Sequence, residues 1–142
     1  MNVSARNVFK GKITALVDGV VNAEVELSLP GGDKIVAIVT EGSVKLLGLA
    51  VGKEAIAYVK APWVMVLAGT QDVRFSARNQ LAGSVSKIQK GAVNTEVAIT
   101  LPGGTTVFAV VTHEAVLELG LKEGGPASAL IKASSVILGV SD

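Results

Sequence analysis

Ser4-Ala5-Arg6-Asn7 returns unchanged as Ser76-Ala77-Arg78-Asn79, 76 − 4 = 72 residues later. The same offset carries Glu24-Val25 to Glu96-Val97 and Lys60-Ala61 to Lys132-Ala133. It also carries Leu29-Pro30-Gly31-Gly32 to Leu101-Pro102-Gly103-Gly104. Residues 4–68 align with 76–140 without a gap, at roughly 27 identities in about 65 positions. This period is too long for a solenoid unit, so the chain reads as a duplicated small domain. The first copy is assigned to 1–69 and the second to 70–142.

Copies of about 70 residues lie at the low end for independent folding and gain stability by packing on each other or by oligomerising. The composition asks for the same thing. Apolar residues make up 49% and mean hydropathy is +0.54, a surplus that an interface would cover. Net charge is only +1, which argues against a nonspecific polyanion binder. Aromatic residues are 4%, too few for the stacking platforms of single-strand nucleic-acid binders. No apolar run approaches the roughly 18–20 residues of a membrane span. The first residues carry no apolar signal-peptide core, so no signal peptide is visible, and the absence of cysteine is compatible with the cytoplasm.

Val8 to Val17 reads as a strand, and Asp18-Gly19 as a turn. Val21, Ala23, Val25, Leu27 and Leu29 then alternate with polar residues, the pattern of a half-buried strand. Pro30-Gly31-Gly32-Asp33 closes a hairpin, and Ile35 to Val39 is apolar enough to be buried on both faces. Thr40 or Ser43 is positioned to cap a short helix. In that helix Val44, Leu46 and Leu47 should face the core, and Gly48 should end it. Glu54 to Lys60 alternates again, Pro62 breaks the ladder, and Val64 to Leu67 forms a last strand. Each copy is thus predicted to be an all-β, OB-type five-stranded barrel with one short helix, two in tandem. Gly69 to Phe75 is the predicted connector.

Catalytic and metal constellations are missing from this pattern. The single histidine, His113, stands where the first copy has Glu41, and reads as a surface or capping residue. With no cysteine and a single histidine, no zinc or soft-metal site is expected. Glu24 and Glu96 lie on the polar face of a strand and read as solvated or interface glutamates. The Pro-Gly-Gly turns lack the lysine and helix of a phosphate loop. What recurs is a donor set suited to an oxyanion. Ser4 and Ser76 offer hydroxyls, Arg6 and Arg78 a planar fork of N–H groups, and Lys60 and Lys132 point charges. Ser43 adds a hydroxyl and the amides of a helix N-terminus. From the residues alone an anion site is plausible, and duplication by itself would also explain the recurrence.

The Ser-Ala-Arg-Asn motif, Leu-Ser-Leu-Pro-Gly-Gly, Val-Thr-Glu-Gly-Ser-Val-Lys-Leu-Leu-Gly-Leu and Lys-Ala-Pro-Trp-Val together resemble the molbindin (Mop) family across both copies. The resemblance implies an OB-type fold, a homotrimer of two-domain cytoplasmic chains, and molybdate or tungstate held between subunits by hydrogen bonds. No enzymatic activity, cofactor, direct cation ligand, nucleic-acid partner or membrane partner is implied. Matched by motif, the first oxyanion site would use Ser4, Ala5, Arg6, Asn7, Lys60 and Ala61, with Ser43 from a neighbouring subunit. The second would use Ser76, Ala77, Arg78, Asn79, Lys132 and Ala133, with Ala115 in the serine's place. That departure predicts unequal sites. Pro62-Trp63 also becomes Ser134-Ser135, and Trp63, three residues past Lys60, is expected to report the first site. The rival readings are an OB-type regulatory or nucleic-acid-binding module and a ligand-free structural trimer.

Overall fold

A computed structural model describes residues 3–69 and 73–141. The connector residues Thr70, Gln71 and Asp72 lie outside the described residues. Each copy supplies three antiparallel strands, a seven-residue helix and two further strands. In the first these are β1 (Asn7–Asp18), β2 (Asn22–Ser28), β3 (Lys34–Thr40), α1 (Glu41–Leu47), β4 (Glu54–Val59) and β5 (Met65–Ala68). The second repeats them as β6 (Asn79–Lys90), β7 (Asn94–Thr100), β8 (Thr106–Thr112), α2 (His113–Leu119), β9 (Pro126–Ile131) and β10 (Ile137–Gly139). One 3-10 turn, Ala61–Trp63, precedes β5, and another, Ala133–Ser135, precedes β10.

The strands form two five-stranded sheets, ordered β10-β4-β1-β2-β3 and β5-β9-β6-β7-β8. The fifth strand of each sheet therefore comes from the other copy. Met65 pairs with Leu130 and Ala68 with Ala127, while Ile137 pairs with Tyr58 and Gly139 with Ile56. The sequence reading assigned each copy its own fifth strand. Strand existence and order hold; the partner does not. Each 3-10 turn packs on the opposite copy, the first on β8 and the second on β3, and so carries the chain across.

The long first strand serves two partners. Its early residues pair with β4 and its later ones with β2, with a register shift between Ile13 and Ala15. The shift recurs between Val85 and Lys87 in β6. A bulge of this kind bends a strand and lets it curl the sheet. Alternation in β2 buries Ala23, Val25 and Leu27, with Leu29 just beyond, as expected, but leaves Val21 70% exposed. In β3, Ile35, Val36 and Ala37 are all buried. The buried apolar residues of both sheets, Ile13, Val25, Ile35, Val85, Val97 and Val107 among them, form one contiguous cluster. Burying each valine or isoleucine stabilises the fold by about 1.5–3 kcal/mol.

Thr40 caps α1 by accepting from the Ser43 N–H at 3.1 Å, and Gly48 ends the helix in the left-handed region at φ 63°. Leu46, expected in the core, is instead 85% exposed, whereas Val44 and Leu47 are half-buried against the core. Among the described residues no helix is long and apolar enough to cross a membrane.

The two Pro-Gly-Gly turns meet. Asp33 accepts from the N–H of Gly103 at 3.0 Å and of Thr105 at 3.3 Å, tying one turn to the other. Gly31 adopts φ 93°, and a Cβ there would run into the Gly103 carbonyl; Gly32 adopts φ 98° with open space around it. Both glycines satisfy a left-handed backbone, but only Gly31 also permits the close approach. Gly31→Ala should therefore destabilise by about 2 kcal/mol or more and Gly32→Ala by about 1 kcal/mol, an order that paired thermal or urea melts would check.

Candidate functional site

Strand register decides where the repeated motifs land. Asn7 pairs with Val59 and Asn79 with Ile131. The segment leading into β1 therefore runs beside Lys60, and the one leading into β6 beside Lys132. Residues 56 positions apart in each copy thus come to share a cleft (60 − 4 and 132 − 76).

Two clefts result. The first, about 340 Å³, is walled by Ser4, Ala5, Tyr58, Lys60 and Trp63 among others. The second, about 480 Å³, holds Ser76, Ala77, Arg78, Lys132 and Ala133, with Ser134 and Ser135. Among the described residues no carboxylate lines either wall. Ala61 and Ala133 are buried at the starts of the 3-10 turns, where the first N–H groups have no partner within the turn. Trp63 lines both clefts, with Lys60 Nζ 5.7 Å from its ring centroid. The expectation that it serves the first site alone fails, because its turn lies across the opposite copy.

The asparagines of the motif do something the sequence did not reveal. Asn7 is 1% exposed, and its Nδ2 donates to the Phe108 carbonyl at 2.8 Å while its Oδ1 accepts from the Phe108 N–H at 2.8 Å. Asn79, 2% exposed, clasps Val36 in the same way at 2.8 and 2.7 Å. Phe108 and Val36 lie on β8 and β3, the edge strands of the opposite sheets. Each amide thus acts as one residue of an extra strand, and satisfies backbone groups that would otherwise be orphaned at a buried edge.

The arginines also reach across. Arg6 donates from Nε to Glu96 Oε2 at 3.1 Å and from Nη2 to Oε1 at 3.2 Å, and its guanidinium carbon lies 3.5 Å from the centroid of the Phe108 ring. Arg78 donates from Nε to Glu24 Oε2 at 3.3 Å and from Nη2 to Glu24 Oε1. Position 36, the counterpart of Phe108, is valine, so Arg78 has no matching ring there. Arg78 lines its cleft, whereas Arg6 lies outside the wall of the first. The hydrogen bonds and positive charge of Arg78 hold the Glu24 carboxyl below the usual carboxylate range, partly opposed by desolvation. Sequence reasoning took Glu24 and Glu96 as solvated or interface residues. Their recurrence at the same offset as the arginines was visible in the sequence, but the arginine partner from the opposite copy was not.

Ser43 and Ala115 stand apart from both clefts, each on the first turn of its helix. The Ser43 N–H and hydroxyl both engage Thr40, at 3.1 and 2.9 Å. The Ala115 N–H donates to Thr112 Oγ1 at 3.1 Å. These helix-start amides, expected to be available to an anion, are spent on caps. His113 opens α2 half-buried, with Thr112 as the cap in its stead. Among the described residues no group of three or more His, Cys, Asp or Glu could hold a metal ion.

The second cleft thus gathers a serine, an arginine and a lysine, with no carboxylate among its described lining residues. The TOBE domain model matches residues 3–66 and 76–138, and the chain belongs to that family. It is 45% identical over 138 residues to the molybdenum-pterin-binding protein MopA of Rhodobacter capsulatus, covering 97% of this chain and 52% of that protein. It is also 45% identical over 140 residues to the molybdenum transport protein ModE of Azotobacter vinelandii, covering 99% and 52%. The chain thus spans about half the length of the curated relatives it matches. A crystal structure of the cytoplasmic molybdate-binding protein ModG with molybdate bound superposes with a TM-score of 0.93 at 57% identity, covering 99% of this chain and 100% of that one.

Asn79→Ala would leave the N–H and C=O of Val36 buried and unpaired. The expected cost is about 2–4 kcal/mol, from two lost hydrogen bonds at a desolvated edge. Asn7→Ala should behave alike, and denaturant melts with unchanged slope would check both.

Proposed function

We propose that this chain is a molybdate- and tungstate-binding protein that buffers or stores the oxyanion in the cytoplasm, without catalysis. The observation that carries this reading is the second cleft, lined by Ser76, Arg78 and Lys132 with no carboxylate among the described residues of its wall. A tetrahedral dianion needs donors from several sides, and these three supply a hydroxyl, a planar fork and a point charge. The likeness to ModG supports the choice of anion.

The proposed contacts are those of the two repeated motifs. Ser4, Arg6, Lys60 and the amide of Ala61 serve the first site, and Ser76, Arg78, Lys132 and the amide of Ala133 the second. The clefts are open, and the exposed Val20, Val21, Leu46 and Val93 form apolar surface that further copies of the chain would cover. A homotrimer would close the clefts and bring Ser43 of a neighbouring subunit to the first site, while Ala115 would bring no hydroxyl to the second. The two classes of site would then differ by about two- to tenfold in affinity. Binding through fixed donors needs no cofactor, and a cage sized to the larger oxyanions would disfavour sulfate.

Native mass spectrometry with and without molybdate tests assembly and ligand count together. Three chains carrying bound oxyanion are expected; a monomer with no mass increase would overturn the reading. Calorimetry adds a site-level test. Arg78→Ala should weaken one class of sites by about tenfold or more. Because Trp63 borders both clefts, its emission should follow total binding in the parent. In Arg78→Ala a low-affinity phase should separate in the same signal.

A further inference from the structure

Each guanidinium of the proposed oxyanion sites already has an anion: a glutamate from the opposite copy. The pairing is reciprocal, Arg78 with Glu24 and Arg6 with Glu96, and side-on in both cases through Nε and Nη2. A guanidinium carries five N–H donors, and Glu24 engages two of Arg78's. Arg78 stands in the wall of the second cleft while Glu24 is not among its lining residues, so the carboxylate meets the arginine from outside that wall. Any oxyanion entering there meets an arginine whose charge is largely compensated, and feels repulsion from the carboxylate paired with it.

Resting on the oxyanion-binding reading above, we propose that Glu24 and Glu96 are affinity-setting residues. They act as built-in counter-ions that compete with the oxyanion for Arg78 and Arg6 and hold its affinity below what the donor set alone would give. Two effects of the carboxylate oppose each other. It orders a flexible arginine, which favours binding, and it repels a dianion, which disfavours it. Ordering is worth at most the freedom of one half-exposed side chain. The repulsion acts on two ligand charges at once and reaches across a single guanidinium, within a Debye length. Repulsion therefore dominates. Arg6, which lies outside the wall of the first cleft, is held further by the Phe108 ring, 3.5 Å from its centroid.

Glu24→Gln and Glu96→Gln keep size and polarity but remove the charge. Each variant is titrated with sodium molybdate by calorimetry at two ionic strengths, beside the parent and Arg78→Ala. Each glutamine variant should bind one class of sites about two- to fivefold more tightly, the range of one exposed charge–charge interaction. Its affinity should also fall more steeply with added salt, because the uncompensated arginine leaves a net positive site. Ligand-free melting temperatures should stay within about 3 °C of the parent, since the pairs are half exposed. Unchanged or weaker binding in both variants overturns the proposal, and a lowered melting temperature with unchanged affinity assigns the pairs to clamping the copies together. A parent that takes up no molybdate overturns the oxyanion reading itself. A parent that binds, weakened by Arg78→Ala but indifferent to Glu24→Gln, overturns only the role given to the glutamates.

Discussion

Strands β5 and β10 hydrogen-bond to sheets of the opposite copy, and that exchange organises everything else in the molecule. Once β5 pairs with β9, the turn before it must cross β8, and Trp63 must lie between the two clefts. Once β10 pairs with β4, the second turn crosses β3 in the same way. The two copies then share one contiguous apolar cluster. Neither sheet has its full complement of strands without the other copy, so the small size of each half ceases to be a liability.

The exchange leaves β3 and β8 as sheet edges, and each is closed by a single side chain. Asn79 and Asn7 present an amide that imitates the backbone, donating and accepting on the same residue of the edge strand. The neighbouring arginine follows the asparagine across the interface and meets a glutamate on the adjacent strand. Four consecutive residues thus divide their labour. The serine and alanine border a cleft, the arginine bridges copies at the surface, and the asparagine locks them in the interior. A motif chosen only for ligand contacts would not need a buried amide, and one chosen only for structure would not need the serine at the cleft.

The two copies have also diverged in sequence. Phe108 faces Arg6 where Val36 occupies the matching place in the other copy. Ser134-Ser135 replaces Pro62-Trp63, and Ala115 replaces Ser43. The frame is nearly symmetric while the chemistry around the two clefts is not.

Local physics made much of this legible in the chain itself. The period of 72 residues showed the duplication, alternation placed Ala23, Val25 and Leu27 inside, and Thr40 and Gly48 marked the ends of α1. The recurrence of Ser, Arg and Lys at one offset marked residues that, Arg6 excepted, border the clefts. These signals are short-range, carried by neighbouring side chains or by direct repetition. The choice of fifth strand was not legible, because the copies resemble each other so closely that either strand suits either edge. For the same reason the sequence could not say that Glu24 faces Arg78, that Asn7 reaches Phe108, or that Trp63 belongs to both clefts. A residue's partner across the interface depends on which edge its copy completes, and only the packing of the two sheets into one core decides that.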